Sequence, residues 1–288
     1  IGAAMKRSAR PRRGEAEDRV ALLRQKITEI DAAIAEEGVE EDDVTRLPDS
    51  TCKATATGPT DRVVVRFPDG REDIVVTIGT SQHAQVRGMI EKISHIVDSA
   101  YSSVGKRKRV DHYDALQRLE MGDAGPRANR VLHLAFKGEA LVGCASSTFS
   151  PGWTPDGCGH WGLLAVDPAH QGSGAATALV LAAERRLATV SEFIQIEYSH
   201  SEGDPFSQRL QTWYEDRLGF DGGPRGHSGF RRCFKRIPED EQRRGQRRRL
   251  VEVRDWFARQ LVEAEEGAAA AASSLPRHAA GAAPGAVA

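Results

Sequence analysis

The segment that most constrains this chain is LLAVDPAHQGSGAATALVLAAERRL, residues 163–187. It begins with an apolar run, reaches an Asp-Pro pair at 167–168, and then passes through a Gln-Gly-Ser-Gly loop at 171–174 into an alanine-rich run. Proline stops a central strand because it has no N–H to donate, whereas alanine and leucine favour helix. The pattern therefore predicts a strand, a short glycine loop and a helix that begins near Ser173.

This loop predicts a binding site for an anion. Glycines let the backbone approach a ligand closely because they have no Cβ. The first turn of a helix presents N–H groups without intrahelical partners at the positive end of the helix dipole. Together these features form a cradle that suits a pyrophosphate. An ordinary strand-to-helix turn is the alternative that the glycine pair alone leaves open.

Short apolar runs on both sides of this segment predict a sheet. DRVVVRF and EDIVVTIG flank a Pro-Asp-Gly turn at 68–70, which indicates a hairpin. RVLHLAF, EALVGCASS, HWGLLAV, FIQIEY and FRRCFKRI predict further strands. Helices are predicted over residues 81–103, with Val86 on the apolar face, and over residues 204–218. We expect an α/β (α+β) fold with a mixed, mostly antiparallel central sheet flanked by helices.

The two ends of the chain differ in composition from the middle. Residues 1–16 are small and basic and predict a disordered arm, with nuclear import or phosphate binding as the alternative. Residues 17–60 predict an amphipathic helix followed by a polar linker. The central domain is expected over residues 61–237. A charged helix over 238–266 and a disordered low-complexity tail over 267–288 complete the chain.

Composition excludes some classes of function. The 40 basic and 41 acidic side chains leave a net charge of −1, so no nucleic-acid partner is expected. No apolar run approaches the roughly 20 residues of a membrane helix, so no membrane association is expected. Four cysteines lie far apart without a CxxC pair, which favours a reducing compartment; they are Cys52, Cys144, Cys158 and Cys233. We expect the cytoplasm, with the nucleus as the alternative offered by the basic N-terminal run.

Two motifs, in this order, resemble the signatures of the GNAT N-acetyltransferase superfamily. Val-Asp-Pro at 166–168, followed by Gln-Gly-Ser-Gly-Ala-Ala at 171–176, resembles the family's acyl-CoA signature of a strand followed by Arg-or-Gln, Gly, any residue, Gly. WYEDRLGF at 213–220 resembles the second signature, in which a tyrosine precedes a Leu-Gly-Phe run. The resemblance spans about residues 75–237. It implies the acyl-CoA N-acyltransferase fold, with acetyl-CoA as co-substrate.

The resemblance implies a set of cofactor-binding residues on the strand end, the glycine loop and the later helix. These residues are Leu164, Ala165, Val166, Gln171, Gly172, Ser173, Gly174, Ala175, Ala176 and Ser207. The backbone N–H groups of 164–166 would meet the acyl carbonyl and the pantetheine amides. Two positions depart from the family pattern, since many relatives have a branched aliphatic residue at Ala175 and an asparagine at Ser207.

Acetyl transfer by direct attack of an amine requires a base. An alkylammonium has a pKa of roughly 10.4 and must lose a proton before it attacks. His160, which opens the strand that leads to the glycine loop, is the predicted base, because the resemblance often places glutamate or histidine there. Capping of the strand or packing beside Trp161 is the alternative role. Glu197 is a substitute base or a residue that orients the substrate.

The departing thiolate requires an acid, and Tyr214 is the predicted donor. A phenol has a pKa of about 10, so it is protonated at neutral pH and can donate. The alternative is a core tyrosine that packs beside Leu210 and Trp213 on an amphipathic helix.

Other interpretations remain beside an N-acetyltransferase acting on a primary amine. One is a catalytically silent GNAT-like module that binds acyl-CoA as a sensor or scaffold. A protein lysine or N-terminal amine is the alternative acceptor, and a homodimer stays open. Residues 157–162 match GxGxxG but lead into a strand, so no dinucleotide site is expected. Cys158 and His160 have no second ligand pair at zinc spacing, so no metal is expected.

Overall fold

The computed structural model describes five stretches of the chain, which are residues 13–36, 43–46, 54–105, 110–223 and 229–273. They belong to two compact units, one formed by Ile1–Glu36 with Val253–Ala288 and the other by Glu37–Glu252. Most of the predicted basic arm, the end of the predicted tail and Cys52 lie outside the described residues. Within the described stretches, no helix combines the length and apolar character needed to cross a bilayer.

The described part of the larger unit is built on one ten-stranded sheet. Its strands are β1 (Thr45–Arg46), β2 (Thr55–Thr57), β3 (Arg62–Arg66), β4 (Ile74–Ile78), β5 (Arg130–Lys137), β6 (Ala140–Thr148), β7 (Cys158–Val166), β8 (Phe193–Ser199), β9 (Asp221–Gly222) and β10 (Phe230–Arg236). Their spatial order is β1-β2-β3-β4-β5-β6-β7-β8-β10-β9. Every neighbouring pair is antiparallel except β7 and β8, which are parallel. The predicted mixed, mostly antiparallel sheet is confirmed, and it also takes in β1 and β2 from the segment predicted as linker.

Helices flank this sheet and extend from both ends of the domain, as predicted. They are α1 (Arg13–Glu36), α2 (Ser81–Ala84), α3 (Met89–Ser102), α4 (His112–Glu120), α5 (Ala175–Leu187), α6 (Pro205–Gln211) and α7 (Glu239–Ser273). A π-helical turn, Thr212–Arg217, follows α6 directly. α7 continues beyond residue 266, where the sequence analysis ends it, because the alanines that follow favour helix.

The prediction of one helix over residues 81–103 is wrong. α2 and α3 are separate helices, and Gly88 before α3 has a φ of 76°, in the left-handed region that favours glycine. Val86, predicted on the apolar face, falls outside both helices and is 52% exposed. α3 alone supplies the apolar face, since its Ile93 and Ile96 are fully buried.

Two helical layers cover the two faces of the sheet. α5 packs on one face, where its Leu179 contributes to a core with β2 to β6 and its Leu187 to a core with β7, β8 and β10. α3 and α4 pack on the opposite face, where Ile96 and Leu119 meet Leu132 of β5. Burial of each such side chain stabilises the fold by about 1.5–3 kcal/mol before the entropy of ordering is counted.

β7 has a bulge in its ladder with β6, just beyond the point where its pairing with β8 ends. Residues two apart on a regular strand face the same way, yet Trp161 packs on the α5 side and Leu163 on the α3 side. Leu163 has a left-handed φ of 50°, which marks the bulged position. Over the described strands, pairing of β7 with β8 covers three residue pairs and ends at His160 and Gln195. Beyond that pair a gap opens between the two strands.

A buried arginine ties the start of the larger unit to α5. The fully buried Arg185 donates to the carbonyl of Gly58 at 2.6 Å and to the hydroxyl of Thr45 at 3.0 Å. It also forms an ion pair with Asp43 at 2.6 Å. Arg248 of α7 binds the same carboxylate. Because a buried cation requires satisfied donors, this cluster fixes β1, β2 and the first part of α7 to α5.

In the smaller unit, α1 pairs with the last part of α7. Arg24 forms an ion pair with Glu265 at 2.8 Å, and Asp31 forms one with Arg254 at 3.0 Å. A later position on α1 thus meets an earlier position on α7, so the two segments run antiparallel. Leu23 is buried in this unit.

The Arg185 cluster gives a stability prediction. Arg185→Met is expected to lower the free energy of unfolding by about 3 kcal/mol, because removal of one partner leaves the buried acceptors and Asp43 unsatisfied. Arg236→Met is the matched control, since this side chain is 68% exposed and such surface pairs contribute about 0–1 kcal/mol. Urea unfolding followed by circular dichroism measures both. Equal midpoints for the two variants would show that the cluster does not hold the fold.

Candidate active site

The gap between β7 and β8 forms a cavity of about 420 Å³. Both strands, the end of α3, α6 and the π-helical turn contribute to its wall, which is mostly apolar and aromatic. The ionisable side chains in the wall are Tyr101, Glu197, Tyr198 and Tyr214. Leu164 lines the same cavity. The structure therefore brings together three residues that the sequence analysis singled out separately, Leu164, Glu197 and Tyr214.

Tyr214 lies on the π-helical turn and is almost fully buried. Burial, together with the nearby phenol of Tyr101, raises the pKa of Tyr214, so the hydroxyl remains protonated at neutral pH. Its ring packs against Tyr198 and Trp213, with centroid distances of 4.9 and 5.0 Å. Tyr214 is thus a core tyrosine, which the sequence analysis gave as the alternative to an acid, and it also lines the cavity.

Glu215 fixes the turn that carries Tyr214. Its carboxylate accepts hydrogen bonds from Arg231 at 2.5 and 2.7 Å and from the hydroxyl of Tyr198 at 2.7 Å. Burial alone would raise the pKa of Glu215, but the hydrogen bonds from Arg231 and Tyr198 outweigh it and lower the pKa. The carboxylate is therefore charged and serves to anchor the π-helical turn, a type of irregularity that is frequent at functional sites.

His160 lies where β7 and β8 part. Its Nδ1 donates to the backbone carbonyl of Gln195 at 2.8 Å. Because a carbonyl only accepts, this bond places the proton of the neutral ring on Nδ1 and leaves a lone pair on Nε2. A Cβ at Gly162 would stand 3.0 Å from Nε2. Gly162 lines the cavity, whereas His160 stands just behind that wall, with its ring edge-on to Trp153 at 5.9 Å.

Glu197 faces the cavity from β8, but its carboxylate is engaged. Arg232 of β10 donates to it at 2.7 Å, and the two residues are opposite each other in the ladder. The ion pair with Arg232 takes up one oxygen of this carboxylate and fixes its position. The geometry therefore favours an orienting role for Glu197 over the role of substitute base.

The glycine loop forms a second, smaller pocket of about 210 Å³ at the start of α5. Six of the predicted cofactor-binding residues line it, and they are Val166, Gln171, Gly172, Gly174, Ala175 and Ala176. Gly172 and Gly174 have φ values of 79° and 96°, which favour glycine at both positions. The hydroxyl oxygen of Ser173 is buried and has no hydrogen-bond partner among the described residues.

Arg71, which the sequence analysis missed, lines the same pocket. It lies on the hairpin between β3 and β4, where Asp69 binds its Nε and Nη2 at 2.9 and 2.6 Å. Its guanidinium stacks over the ring of Phe67 at 4.5 Å. A Cβ at Gly174 would lie 3.2 Å from Nη1 of Arg71, so the cation adjoins the first turn of α5. Its position 100 residues before the loop in the chain gives no local signal of this proximity.

Three predicted cofactor contacts line neither cavity, and they are Ala165, Ser173 and Ser207. Ser207 is buried in the first turn of α6, where its hydroxyl donates to Asp204 at 2.7 Å and accepts from the amide of Ser201 at 3.1 Å. These bonds make Ser207 part of the helix cap. The side chain of Ala165 packs in the core on the α3 side.

The close approach of Gly162 to His160 gives a prediction about the imidazole. We expect ¹⁵N NMR of the wild type to show the tautomer with the proton on Nδ1. Gly162→Ala should shift the His160 signals, because the new Cβ would meet Nε2 at 3.0 Å. Gly152→Ala is the control, since its Cβ would have no neighbour within 4 Å. Unchanged His160 signals in Gly162→Ala would mean that the ring points elsewhere.

Comparison with known proteins agrees with the geometry. Residues 90–220 match the model of the acetyltransferase (GNAT) family. No curated protein matches the chain. Similar solved structures include an acetyltransferase from Thermus thermophilus, with 17% identity, a TM-score of 0.41, and coverage of 56% of this chain and 97% of that one.

Two further solved structures are similar to the chain. For the GNAT domain of S. lividans PAT, the identity is 17%, the TM-score 0.45, and the coverage 63% and 99% of the two chains. The PaiA N-acetyltransferase from Thermoplasma acidophilum in complex with coenzyme A has 11% identity and a TM-score of 0.44. The match covers 57% of this chain and 99% of that one. The family match runs from α3 to the Leu-Gly-Phe run after the π-helical turn and so includes both motifs. The predicted family is thereby confirmed, and residues 90–220 of the chain form a GNAT acetyltransferase domain.

Proposed function

We propose that this chain transfers an acetyl group from acetyl-CoA to a primary amine by direct attack. The observation that carries the proposal is the course of β7. Its residues 161–164 line the cavity to which Tyr214 also contributes, and its Val166 lines the pocket formed by the glycine loop. One strand thus connects a buried proton donor to an anion cradle, as transfer from a long phosphorylated thioester requires.

The residues present fit acetyl-CoA. The buried hydroxyl of Ser173 lacks a partner among the described residues and suits a phosphate oxygen. The indole N–H of Trp161, which lines the larger cavity, is also buried without a described partner and suits an amide carbonyl. Arg71 adds a cation beside the helix start. Acetyl-CoA, when bound, would supply the thioester carbon that the amine attacks.

The backbone of β7 directs two of the predicted amides into the gap. The amide of Asp167 donates to the carbonyl of Val142 on β6 at 2.9 Å. Because successive amides of a strand point to opposite edges, the amide of Ala165 also faces β6, whereas those of Leu164 and Val166 face the gap. These two are the donors that we assign to the acyl carbonyl and the pantetheine, as fixed dipoles that need no rearrangement during the reaction.

His160 acts as the base in this proposal. Its hydrogen bond to the carbonyl of Gln195 holds the tautomer in which Nε2 can accept a proton. Nε2 adjoins Gly162, the cavity-wall residue without a side chain, so an amine or a bridging water in the cavity can reach it. Glu197, in its ion pair with Arg232, contributes negative charge that orients the ammonium form of the acceptor.

Tyr214 acts as the acid in this proposal. The raised pKa keeps the phenol protonated throughout the neutral and mildly alkaline range, so it can donate to the thiolate as the C–S bond breaks. The bidentate ion pair of Glu215 with Arg231 holds the neighbouring backbone, which keeps the hydroxyl directed at the cavity. Proton removal and donation thus fall to different residues at different steps.

Release of CoA in the presence of a panel of primary amines tests the proposal. HPLC measures free CoA, and calorimetry measures binding of acetyl-CoA to the same preparation. We expect both binding and amine-dependent release. Binding without release for every amine would favour the silent sensor or scaffold, and absence of binding would refute both interpretations.

Arg71→Met is expected to weaken acetyl-CoA binding about 10-fold, because one charge-assisted hydrogen bond to a phosphate is lost. Arg66→Met is the matched control, since this arginine lies on the same hairpin and is 63% exposed. Isothermal titration calorimetry measures both. Equal affinities for the two variants would show that Arg71 does not bind acetyl-CoA. They would not contradict binding by the glycine loop.

His160→Gln and Tyr214→Phe are each expected to lower kcat about 100- to 10,000-fold and to leave acetyl-CoA affinity nearly unchanged. Glutamine can still donate to the carbonyl of Gln195, and phenylalanine keeps the ring packing of Tyr214, so folding is retained. His160→Gln should also remove the acidic limb of the pH–rate profile.

Exposed residues of the same types are the controls. His112→Gln and Tyr113→Phe alter exposed side chains on α4 and should keep full turnover. Full turnover of Tyr214→Phe would show that water protonates the thiolate. An unchanged acidic limb of the pH–rate profile in His160→Gln would show that another residue is the base.

A further inference from the structure

A polar row crosses the α3 face of the sheet and ends at the proposed base. Arg130 of β5 is opposite Thr148 of β6, and Thr148 is opposite His160 of β7. Cross-strand partners share a face, so these three side chains lie side by side. The Nε of Arg130 donates to the hydroxyl of Thr148 at 3.0 Å, which holds the guanidinium in this row.

Trp153, from the connection between β6 and β7, joins the two ends of the row. Its ring meets the imidazole of His160 edge-on at 5.9 Å. The guanidinium of Arg130 lies over the same indole at 5.7 Å. The indole is nevertheless 53% exposed, so it stands at an open surface between the cation and the base. A cation and the proposed base thus lie at two edges of one exposed indole.

Within the part of the chain that the structure describes, no carboxylate forms an ion pair with Arg130 or with Arg118 of α4. By contrast, the described side chains of Arg185, Arg231 and Arg248 are each held by a carboxylate. Burial, together with the positive charge of Arg118, lowers the pKa of Arg130. An arginine that no carboxylate neutralises suits an anionic group of a ligand.

We infer that the acceptor is a primary amine that also carries a carboxylate or phosphate, which Arg130 binds while the amine lies at His160. The inference rests on the proposed function and names its substrate class. Adjacent strands are about 4.8 Å apart, so the Cα atoms of Arg130 and His160 are separated by about 10 Å. A chain of a few methylene groups along the exposed indole of Trp153 spans this distance once the two side chains extend toward each other. A free amino acid or a lysine near an acidic residue in a peptide offers the same pair of groups.

Three amines of equal length test the inference in the CoA-release assay with full-length protein. 5-Aminopentanoate carries the anion, n-pentylamine lacks it, and 1,5-diaminopentane replaces it with a cation. We expect kcat/KM for 5-aminopentanoate to exceed that for n-pentylamine about 10- to 100-fold, the range for one hydrogen-bonded charge. The diamine should be the poorest acceptor, since its second ammonium faces Arg130. A blocked peptide with one lysine beside a glutamate distinguishes a protein source from a free amino acid.

Variants assign the preference to Arg130. Arg130→Met should reduce the ratio of kcat/KM for 5-aminopentanoate over n-pentylamine to about 1, and Arg66→Met should keep the wild-type ratio. If Arg130→Met does not fold, Arg130→Lys retains the charge without the planar fork and should give an intermediate ratio. CoA release with equal kcat/KM for the three amines would overturn this inference but would still support the proposed acetyltransferase activity. No release with any amine would overturn both.

Discussion

The separation of β7 from β8 is the constraint on which the rest of the structure depends. Three residue pairs join these strands, so the ladder alone holds the two parts of the sheet together weakly. α5 compensates, because its apolar residues pack on both sides of the gap. Its fully buried Ala178, Ala182 and Ala183 let the helix lie close to the sheet. The two parts of the sheet are therefore joined by the same helix whose first turn lines the pocket at the glycine loop.

This arrangement links stability to chemistry through single elements. The bulge at Leu163 lies in the ladder of β7 with β6, directly beyond the three pairs that join β7 to β8. The ion pair of Glu215 with Arg231 fixes the irregular turn on which Tyr214 sits. In each case a local departure from regular structure is held by strong neighbouring contacts, as expected where backbone irregularity serves a site.

Segments outside residues 90–220 complete the domain and the pocket. The hairpin between β3 and β4 brings Arg71 and Phe67 to the start of α5, where Gly174 has no side chain to obstruct them. The cluster of Arg185, Asp43 and Arg248 fixes the first strands and α7 to the other end of the same helix. The N-terminal strands are therefore an integral part of the sheet, and they add positive charge to the cradle.

Much of the fold was open to prediction because its signals are local. The strand, glycine loop and helix over residues 163–187 follow from proline, glycine and alanine preferences, and the two motifs indicated the family. The predicted helix over 81–103 failed at Gly88, where one glycine in the left-handed region outweighs an apolar periodicity. β1 and β2 were missed because they have only two and three residues and depend on their partner strands for stability.

The sequence by itself predicted the strand, glycine loop and helix over residues 163–187 and the residues worth testing, since each depends on neighbours within a few positions. Only the tertiary structure decided which of them meet. It placed Tyr214 and Glu197 in one cavity, engaged Ser207 in a helix cap and oriented the imidazole of His160 through the carbonyl of Gln195. It also brought Arg71 and Arg130 beside the site. These outcomes depend on strand register, on the bulge in β7 and on contacts between residues far apart in the chain, which no local pattern specifies.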